Sequence, residues 1–385
     1  MKTLIELYDE EPMRNVLATE MFQPEETVLV CPPEIAKDSG YENNLRRYLK
    51  HRGFRGRLTL TSASLLDAHR VAEVLREILK TREDCAIDIS GGTDAALFAA
   101  GMVSREIPVF TYSRHSNCFF EIQNASFARG LPCTVRLDTE ACVMLAGGEL
   151  LPGREDNRKL RELLPEIDLL FDIFRTFRRE WNRQITYLQQ ISDAADPELR
   201  AAGPRTVKVD RGSVTVNEEL LLRLAEDGLI LNLQLTEEEV AFTFPNPTIR
   251  FWLRDVGSAL EVYIYKACLN AGVFDDVVLS AVVNWHSDGV KKSLVTNEID
   301  VVAVRGVVPL FISCKTCAVK TEALNELAIL RDNFGGKGSR AMIVTTSGTS
   351  RGSLTMRKRA SEMGVEVLDW EDLAPDTLRE RLAQR

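Results

Sequence analysis

Asn297-Glu298-Ile299-Asp300-Val301-Val302, followed after a hydrophobic gap by Phe311-Ile312-Ser313-Cys314-Lys315, reads as two adjacent β-strands that bring a carboxylate and a lysine together. Alternation along a strand puts Glu298, Asp300 and Val302 on one face of the first run, and Ser313 and Lys315 on one face of the second. Arg305-Gly306 supplies a turn, so the expected unit is a hairpin whose polar faces meet. A carboxylate there can hold Mg²⁺ or Mn²⁺, which stabilises charge developing on a phosphoryl group, and an ammonium beside it can orient or deprotonate an attacking water. Taken alone, this short pattern is equally compatible with a charged surface hairpin.

The preceding segment, Arg254 to Tyr265, has apolar residues at helical spacing and sets Glu261 on or near the inward face beside Leu260 and Ile264. A carboxylate in that position is costly without a partner, and a bound cation is one such partner. This helix-then-hairpin order resembles the PD-(D/E)XK nuclease superfamily, in which a helix Glu, a strand Asp and a (D/E)-x-K tripeptide line one site. Residue by residue, the resemblance implies a restriction-endonuclease-like domain with Glu261 and Asp300 as metal ligands and Lys315 acting on water. Ser313 departs from it, since the family has Asp or Glu there. The resemblance leaves three outcomes: Glu261, Asp300, a backbone carbonyl near Cys314 and waters suffice; Glu298 substitutes for the missing ligand; or the domain binds nucleic acid without cutting it.

A chain of 385 residues with 45% hydrophobic content can fill two or three cores. No apolar run approaches the ~20 residues of a membrane span and the N-terminus lacks a basic-then-apolar signal, so a cytoplasmic location without membrane contact is expected. The eight cysteines are scattered, which suits reduced, buried thiols such as Cys85, Cys268 and Cys314. Cys314-Lys315-Thr316-Cys317 has the C-x-x-C spacing, but no second pair completes a zinc site, and Cys314 should point away from Lys315 into a hydrophobic layer. His51, His69, His115 and His286 have no ligand spacing. A net charge of −9 argues against broad affinity for nucleic acid while leaving room for a local basic groove.

Outward from the hairpin, the N-terminal part changes character. Strand-like runs at Thr3 to Leu7, Val28 to Cys31, Arg57 to Leu60, Cys85 to Ile89 and Pro108 to Tyr112 alternate with helical segments near Asn15 to Phe22, Asn43 to His51, Leu66 to Lys80 and Asp94 to Ser104. That alternation predicts an α/β domain with a parallel, Rossmann-like sheet, which binds ligands at the carboxyl ends of its strands. Two loops lie there. Ser90-Gly91-Gly92-Thr93-Asp94 runs from a strand into a helix and can offer backbone N–H groups to phosphate or hydroxyl oxygens, although packing explains such glycines equally well. Tyr8-Asp9-Glu10-Glu11-Pro12 is too acidic for bare phosphate but suits hydrogen bonds to a base or ribose, or a favourable helix start.

Asn15-Val16-Leu17-Ala18 after the first strand, Ser90-Gly91-Gly92-Thr93 after a later one, and the C-terminal Asn297-Glu298-Ile299-Asp300 with Ser313-Cys314-Lys315-Thr316 together resemble the CRISPR-associated Rossmann fold (CARF) proteins fused to a PD-(D/E)XK nuclease. The resemblance spans nearly the whole chain. It implies a homodimer that binds a cyclic oligoadenylate, commonly cyclic tetra-adenylate, made by a type III CRISPR complex, and thereby switches on a metal-dependent endonuclease acting on DNA, RNA or both. It places Tyr8, Asp9, Ser90, Gly91, Gly92, Thr93 and Asp94 at the ligand, with a CARF domain at 1–150, a helical connector at 151–205 and the nuclease domain at 206–385.

The connector, Asp156 to Gln190, carries an aromatic stripe at Phe171, Phe174, Phe177 and Trp181 whose spacing predicts a packed helix face. Arg175, Arg178, Arg179 and Arg183 face either solvent or nucleic acid, and Ala194 to Gly203 reads as a linker. Residues 211–250 suggest either a small winged-helix-like insert or the first strands of the nuclease sheet. Beyond the hairpin a helix at Thr321 to Arg331 and a strand at Ala341 to Thr346 are expected, with Lys337 and Arg340 as candidate phosphate contacts.

Overall fold

The computed structural model describes residues 1–153, 157–210, 212–285, 296–336, 338–347 and 351–384. Asp156, His286 and Lys337, singled out above, lie outside the described residues. Five parallel strands, β1 (Thr3–Leu7), β2 (Glu26–Cys31), β3 (Arg57–Ser62), β4 (Cys85–Asp88) and β5 (Val109–Ser113), take the order β3-β2-β1-β4-β5, and two antiparallel strands, β6 (Cys118–Gln123) and β7 (Leu131–Pro132), extend the edge. β1 and β2 are buried at every position, the pattern of strands covered on both faces. Side-chain caps fix where the helices begin: Asp38 accepts from Gly40 and Tyr41, Asp67 from His69 and Arg70, and Thr93 from Ala96. Because the chain turns back between β1 and β4, the crevice at their carboxyl ends is the switch point of the sheet.

Beneath that crevice, Glu6 of β1 and Asp88 of β4 are register partners and both are fully buried. Glu6 Oε1 accepts from Thr19 N and Oγ1, while Asp88 Oδ1 accepts from Ser90 N and Oγ. Burial raises both carboxyl groups well above their ordinary range, and the neighbouring Asp88 charge adds to the rise at Glu6. A folded-state value above the unfolded one means that stability is fully present in acid and lost as pH climbs through the folded value. Glu6→Gln should therefore stabilise the protein above pH 8, by on the order of 1–2 kcal/mol. The gain should vanish near pH 4–5; melting temperatures at the two pH values check it.

The second large sheet contains six strands in the order β18-β17-β16-β15-β14-β8. Strand β8 (Glu149–Leu151) pairs antiparallel with β14 (Asp276–Asn284), so the chain enters this sheet before the connector. The connector helices Leu164–Thr176 and Trp181–Ile191 bury Phe171, Phe174 and Trp181, with Phe171 stacked on Tyr263 at 3.5 Å. The stretch read as a linker instead holds strand β9 (Arg200–Pro204), because Ala201 is buried and small Ala and Gly residues gave no strand signal. Strand β9 pairs with β13 (Glu239–Thr243), and β13 with β12 (Leu231–Leu235); a hairpin of β10 (Thr206–Val209) and β11 (Gly212–Thr215) stands apart. Among the described residues, 212–250 thus contribute no strand to the six-stranded sheet.

Strands β15 (Thr296–Arg305) and β16 (Val308–Lys315) form the expected hairpin around Gly306, whose φ of 62° suits the turn. Helix Ser258–Ala271 covers one face of the sheet and helix Thr321–Gly335 the other. Strand β17 (Arg340–Thr345) is not the last; β18 (Val365–Leu368) runs parallel beside it. A single apolar core joins Leu4, Leu29, Leu45 and Phe110 of the first sheet and its helices to Ala281, Val302, Phe311 and Phe334 of the second, bridged by Leu137, Cys142 and Val143. Among the described residues no helix is long and apolar enough to cross a membrane, and all eight cysteines are free.

Candidate functional site

The β15–β16 ladder ends at the pair Val301↔Ile312, and the Asp300 carboxylate takes over where backbone pairing stops. Asp300 Oδ2 accepts from Cys314 N at 2.6 Å and from Ser313 Oγ at 3.2 Å, and lies 3.5 Å from Lys315 Nζ. On the other side, the β14–β15 pairs Leu279↔Val301 and Ala281↔Ile299 bracket Ser280 and Asp300, which are themselves unpaired. Ser280 has φ 51°, a left-handed backbone that non-glycine residues seldom adopt. The alternation expected from Glu298 to Val302 is broken at this kink: Ile299 and Val302 share one core, while Val301 lies in the other. The kink leaves Asp300 half-buried at the sheet's divided end, in a pocket lined by Glu298, Ser313, Lys315, Ala323, Glu326 and Leu327.

Glu261 approaches from the first turn of helix Ser258–Ala271. Asp255 holds that turn, accepting from Gly257 N at 3.1 Å and Ser258 N at 3.0 Å. The Glu261 carboxylate folds back over Gly257, occupying the space a Cβ would need. Burial first, then the Asp300, Asp255 and Glu298 charges, push its carboxyl up to about 8, with Lys315 opposing. Glu261, Asp300 and Lys315 are thus brought together, with Glu298 near enough to be felt. Among the described residues no three His, Cys, Asp or Glu side chains converge as a ready metal cage. Glu261 and Asp300, whose Oδ1 lies outside the contacts above, are the carboxylates that would hold a divalent cation, with a carbonyl oxygen and waters completing it. The Cys314 side chain takes no part: it is buried in the core, and burial pushes its thiol well above the usual range. Arg340 sits opposite Leu310, five positions along β16 from Lys315, where it binds Glu366 and the Gln384 carbonyl, so its guanidinium is engaged away from the Asp300 pocket.

At the switch point of the first sheet, the two loops singled out above do meet. A Cβ on Gly91 would lie 2.7 Å from the Leu7 carbonyl oxygen, and Gly92 has φ 101°, so close packing against the end of β1 already requires both glycines. The Ser90 hydroxyl is committed to Asp88 and to Tyr112 N, and Thr93 Oγ1 to Leu65 O and Ala96 N. Gly91 is buried, Ser90, Gly92 and Thr93 are half-buried, and the exposed residues of the two loops and the turn that follows them are Glu10, Asp94 and Arg14. Arg14, which sequence reasoning missed, donates from Nη1 to Ser90 O at 2.8 Å and from Nε to Glu11 Oε2 at 3.1 Å, and lies 3.6 Å from Asp9. Its i,i+3 spacing from Glu11 was the one available signal. Arg114, also missed, pairs with Glu11 and lies across Gly338 of the second domain, filling the space of any side chain there.

Residues 250–385 match the family model described as the Card1-like endonuclease domain. No curated protein matches the sequence. Among solved structures, protein VC1899 from Vibrio cholerae superposes with a TM-score of 0.74 at 18% identity over 99% of this chain and 97% of its own. Can2 from Sulfobacillus thermosulfidooxidans, solved in complex with cyclic tetra-adenylate, superposes with a TM-score of 0.71 at 16% identity over 99% of both chains. The two-domain fold is therefore common to all three chains.

Proposed function

We propose that this chain, whose C-terminal part is a Card1-like endonuclease domain on a fold shared along its length with Can2, is a metal-dependent endonuclease of type III CRISPR antiviral defence switched on by a cyclic oligoadenylate. The observation that carries the reading is the convergence of Asp300, Lys315 and Glu261 at the divided end of β15 and β16. A Mg²⁺ or Mn²⁺ ion held by Glu261 and Asp300 would supply charge stabilisation at the scissile phosphate. Lys315 orients or deprotonates the attacking water, and Ser313 fixes the Asp300 carboxylate through its hydroxyl.

The activator is read as cyclic tetra-adenylate, the ligand in the Can2 complex. A ring with two-fold symmetry suits a C2 homodimer that offers the Ser90–Thr93 turn twice. Support for that dimer comes from Leu66, Phe98 and Met102, which are 84%, 67% and 40% exposed and flank the turn on the loop and helix tied together by Thr93 and Leu65. Coupling to the nuclease has a physical route: Arg14, Glu11 and Arg114 connect the Ser90 turn to Gly336 and Gly338, which follow the helix lining the Asp300 pocket. A resting equilibrium unfavourable by ~3 kcal/mol would need about a hundredfold preference of the ring for the active state. A cytoplasmic location belongs to this reading.

The test is incubation of the purified protein with Mn²⁺ or Mg²⁺, supercoiled DNA, and single-stranded DNA and RNA, with and without cyclic tetra-adenylate. Cleavage only with the ring present is expected. A specific observation also favours a second reading, a nucleotide-sensing regulator that binds nucleic acid without cutting it: Ser313 stands where a third carboxylate would complete the cation site. Ser313→Glu adds that carboxylate beside Asp300 and should lower the metal concentration for half-maximal cleavage several-fold, since more charge offsets the reluctant dehydration of Mg²⁺. If Glu298→Ala instead destroys activity and Ser313→Glu gives no gain, Glu298 is the third ligand. Inertness of both wild type and Ser313→Glu with ring and metal leaves the regulator.

A further inference from the structure

One turn of the connector, Phe177 to Asn182, is hydrogen-bonded to the segments that carry Glu261 and Lys315 and to the residue after β17 that pairs with Lys315. Trp181 Nε1 donates to Val256 O at 3.3 Å, one residue before the glycine over which Glu261 folds. Asn182 Nδ2 donates to Thr316 Oγ1 at 3.4 Å, directly after Lys315. Arg178 Nη1 donates to Thr346 O at 3.4 Å, and Thr346 N donates to Lys315 O at 3.1 Å. Arg178 is further held by its guanidinium, 4.2 Å from the centre of the Trp370 ring. The turn is thus a fixed wall at the end of the sheet where Lys315 lies, and it comes from outside the matched endonuclease domain.

The charges on this wall are sorted. Its acids are occupied: Glu180 accepts from Asn217 Nδ2 at 3.0 Å, and Asp172 pairs with Arg175 and, at 3.6 Å, with Arg223. Arg179 is exposed and, among the described residues, has no hydrogen-bond or ion-pair partner. Arg183, one helical turn on, is exposed and, among the described residues, donates only to the Ser213 carbonyl, at 3.4 Å. In a chain of net charge −9, two exposed guanidinium groups without a carboxylate partner among the described residues, on the turn that Asn182 ties to the residue after Lys315, mark where a polyanion is tolerated.

We propose that this turn is the substrate rim of the site, with Arg179 and Arg183 binding backbone phosphates of the nucleic-acid strand that Lys315 and Asp300 act upon. The inference rests on the nuclease reading above. Phosphate contacts position a strand without reading its sequence, so the rim sets affinity and the path of the strand, not base preference.

The test measures binding separately from cleavage. In the cleavage-blocked Asp300→Asn background, with Mg²⁺ and cyclic tetra-adenylate present, a fluorescent single-stranded oligonucleotide is titrated at several salt concentrations. Arg179→Ala with Arg183→Ala should weaken binding roughly five- to tenfold and lower the slope of log K against log salt by about 1.4, at ~0.7 for each phosphate contact on a single strand. In the otherwise wild-type chain the same pair should raise the substrate concentration for half-maximal cleavage and leave the saturated rate unchanged. Unchanged affinity and salt slope, with wild-type cleavage intact, overturn the rim and leave the nuclease reading standing. Weakened binding in a protein that never cleaves keeps the rim and overturns the nuclease reading. No binding to the Asp300→Asn protein overturns the rim.

Discussion

Asp300→Asn should lower the cleavage rate by roughly 100- to 1,000-fold, the loss of about 2.7–4 kcal/mol of transition-state stabilisation typical of removing one preorganised electrostatic group. Asparagine is the informative replacement because its amide oxygen can still accept from Cys314 N, whereas alanine would strand a backbone N–H at the point where the ladder opens. Lys315→Gln should act similarly, since it removes the ammonium 3.5 Å from Asp300 and keeps a side chain of similar reach. Both variants should bind the activating ring as wild type does, because the Ser90 turn belongs to the other sheet. Single-turnover cleavage and calorimetric titration of the ring check the two halves of this expectation. Near-wild-type turnover of either variant would move the catalytic centre elsewhere.

Arg14→Ala should raise the ring concentration needed for half-maximal activation by roughly ten- to a hundredfold, the effect of losing one hydrogen bond to a charged group at ~1.5–3 kcal/mol. Arg14 is the cation that faces outward between Asp9 and the Ser90 carbonyl, where the acidic Tyr8–Glu11 loop otherwise repels phosphate. The maximum rate at saturating ring should also fall, because Arg14 links the Ser90 turn to Glu11, while the unliganded melting temperature should stay close to wild type because the side chain is substantially exposed. Unchanged ring affinity would remove Arg14 from the ring's contacts.

Much of this was legible in the sequence because burial on both faces writes itself into continuous apolar runs. β1 and β2 of the first sheet follow that rule, and the Asp38, Asp67 and Thr93 caps mark their helices by chemistry that needs no tertiary context. Glu261, Asp300 and Lys315 were visible as residues for the same reason: each interrupts an apolar pattern. Their meeting across a hairpin was expected too, but the local backbone that seats Asp300 was not. The break in alternation at Asp300 depends on the left-handed backbone of Ser280, an ordinary serine in an ordinary valine-rich run. Strand β9 hid behind alanine and glycine, whose strand character comes wholly from its partner β13. Arg114 carried no local signal, because its partners Glu11 and Gly338 lie far away in the chain.

The apolar core that runs from Leu4 and Phe110 into Val302 and Phe334 limits how the two halves of this chain can be recombined. Domains strung on a linker can be exchanged between relatives as cassettes, each keeping its own interior. Here a crossover placed near Gly147 would set the Leu137–Leu145 side chains of one parent against the β15, β16 and Phe334 surface of the other, and every mismatch in volume would become a buried void or a clash. A chimera of the two halves would need those facing residues inherited together. Selection on either half is thereby felt in the packing of the other.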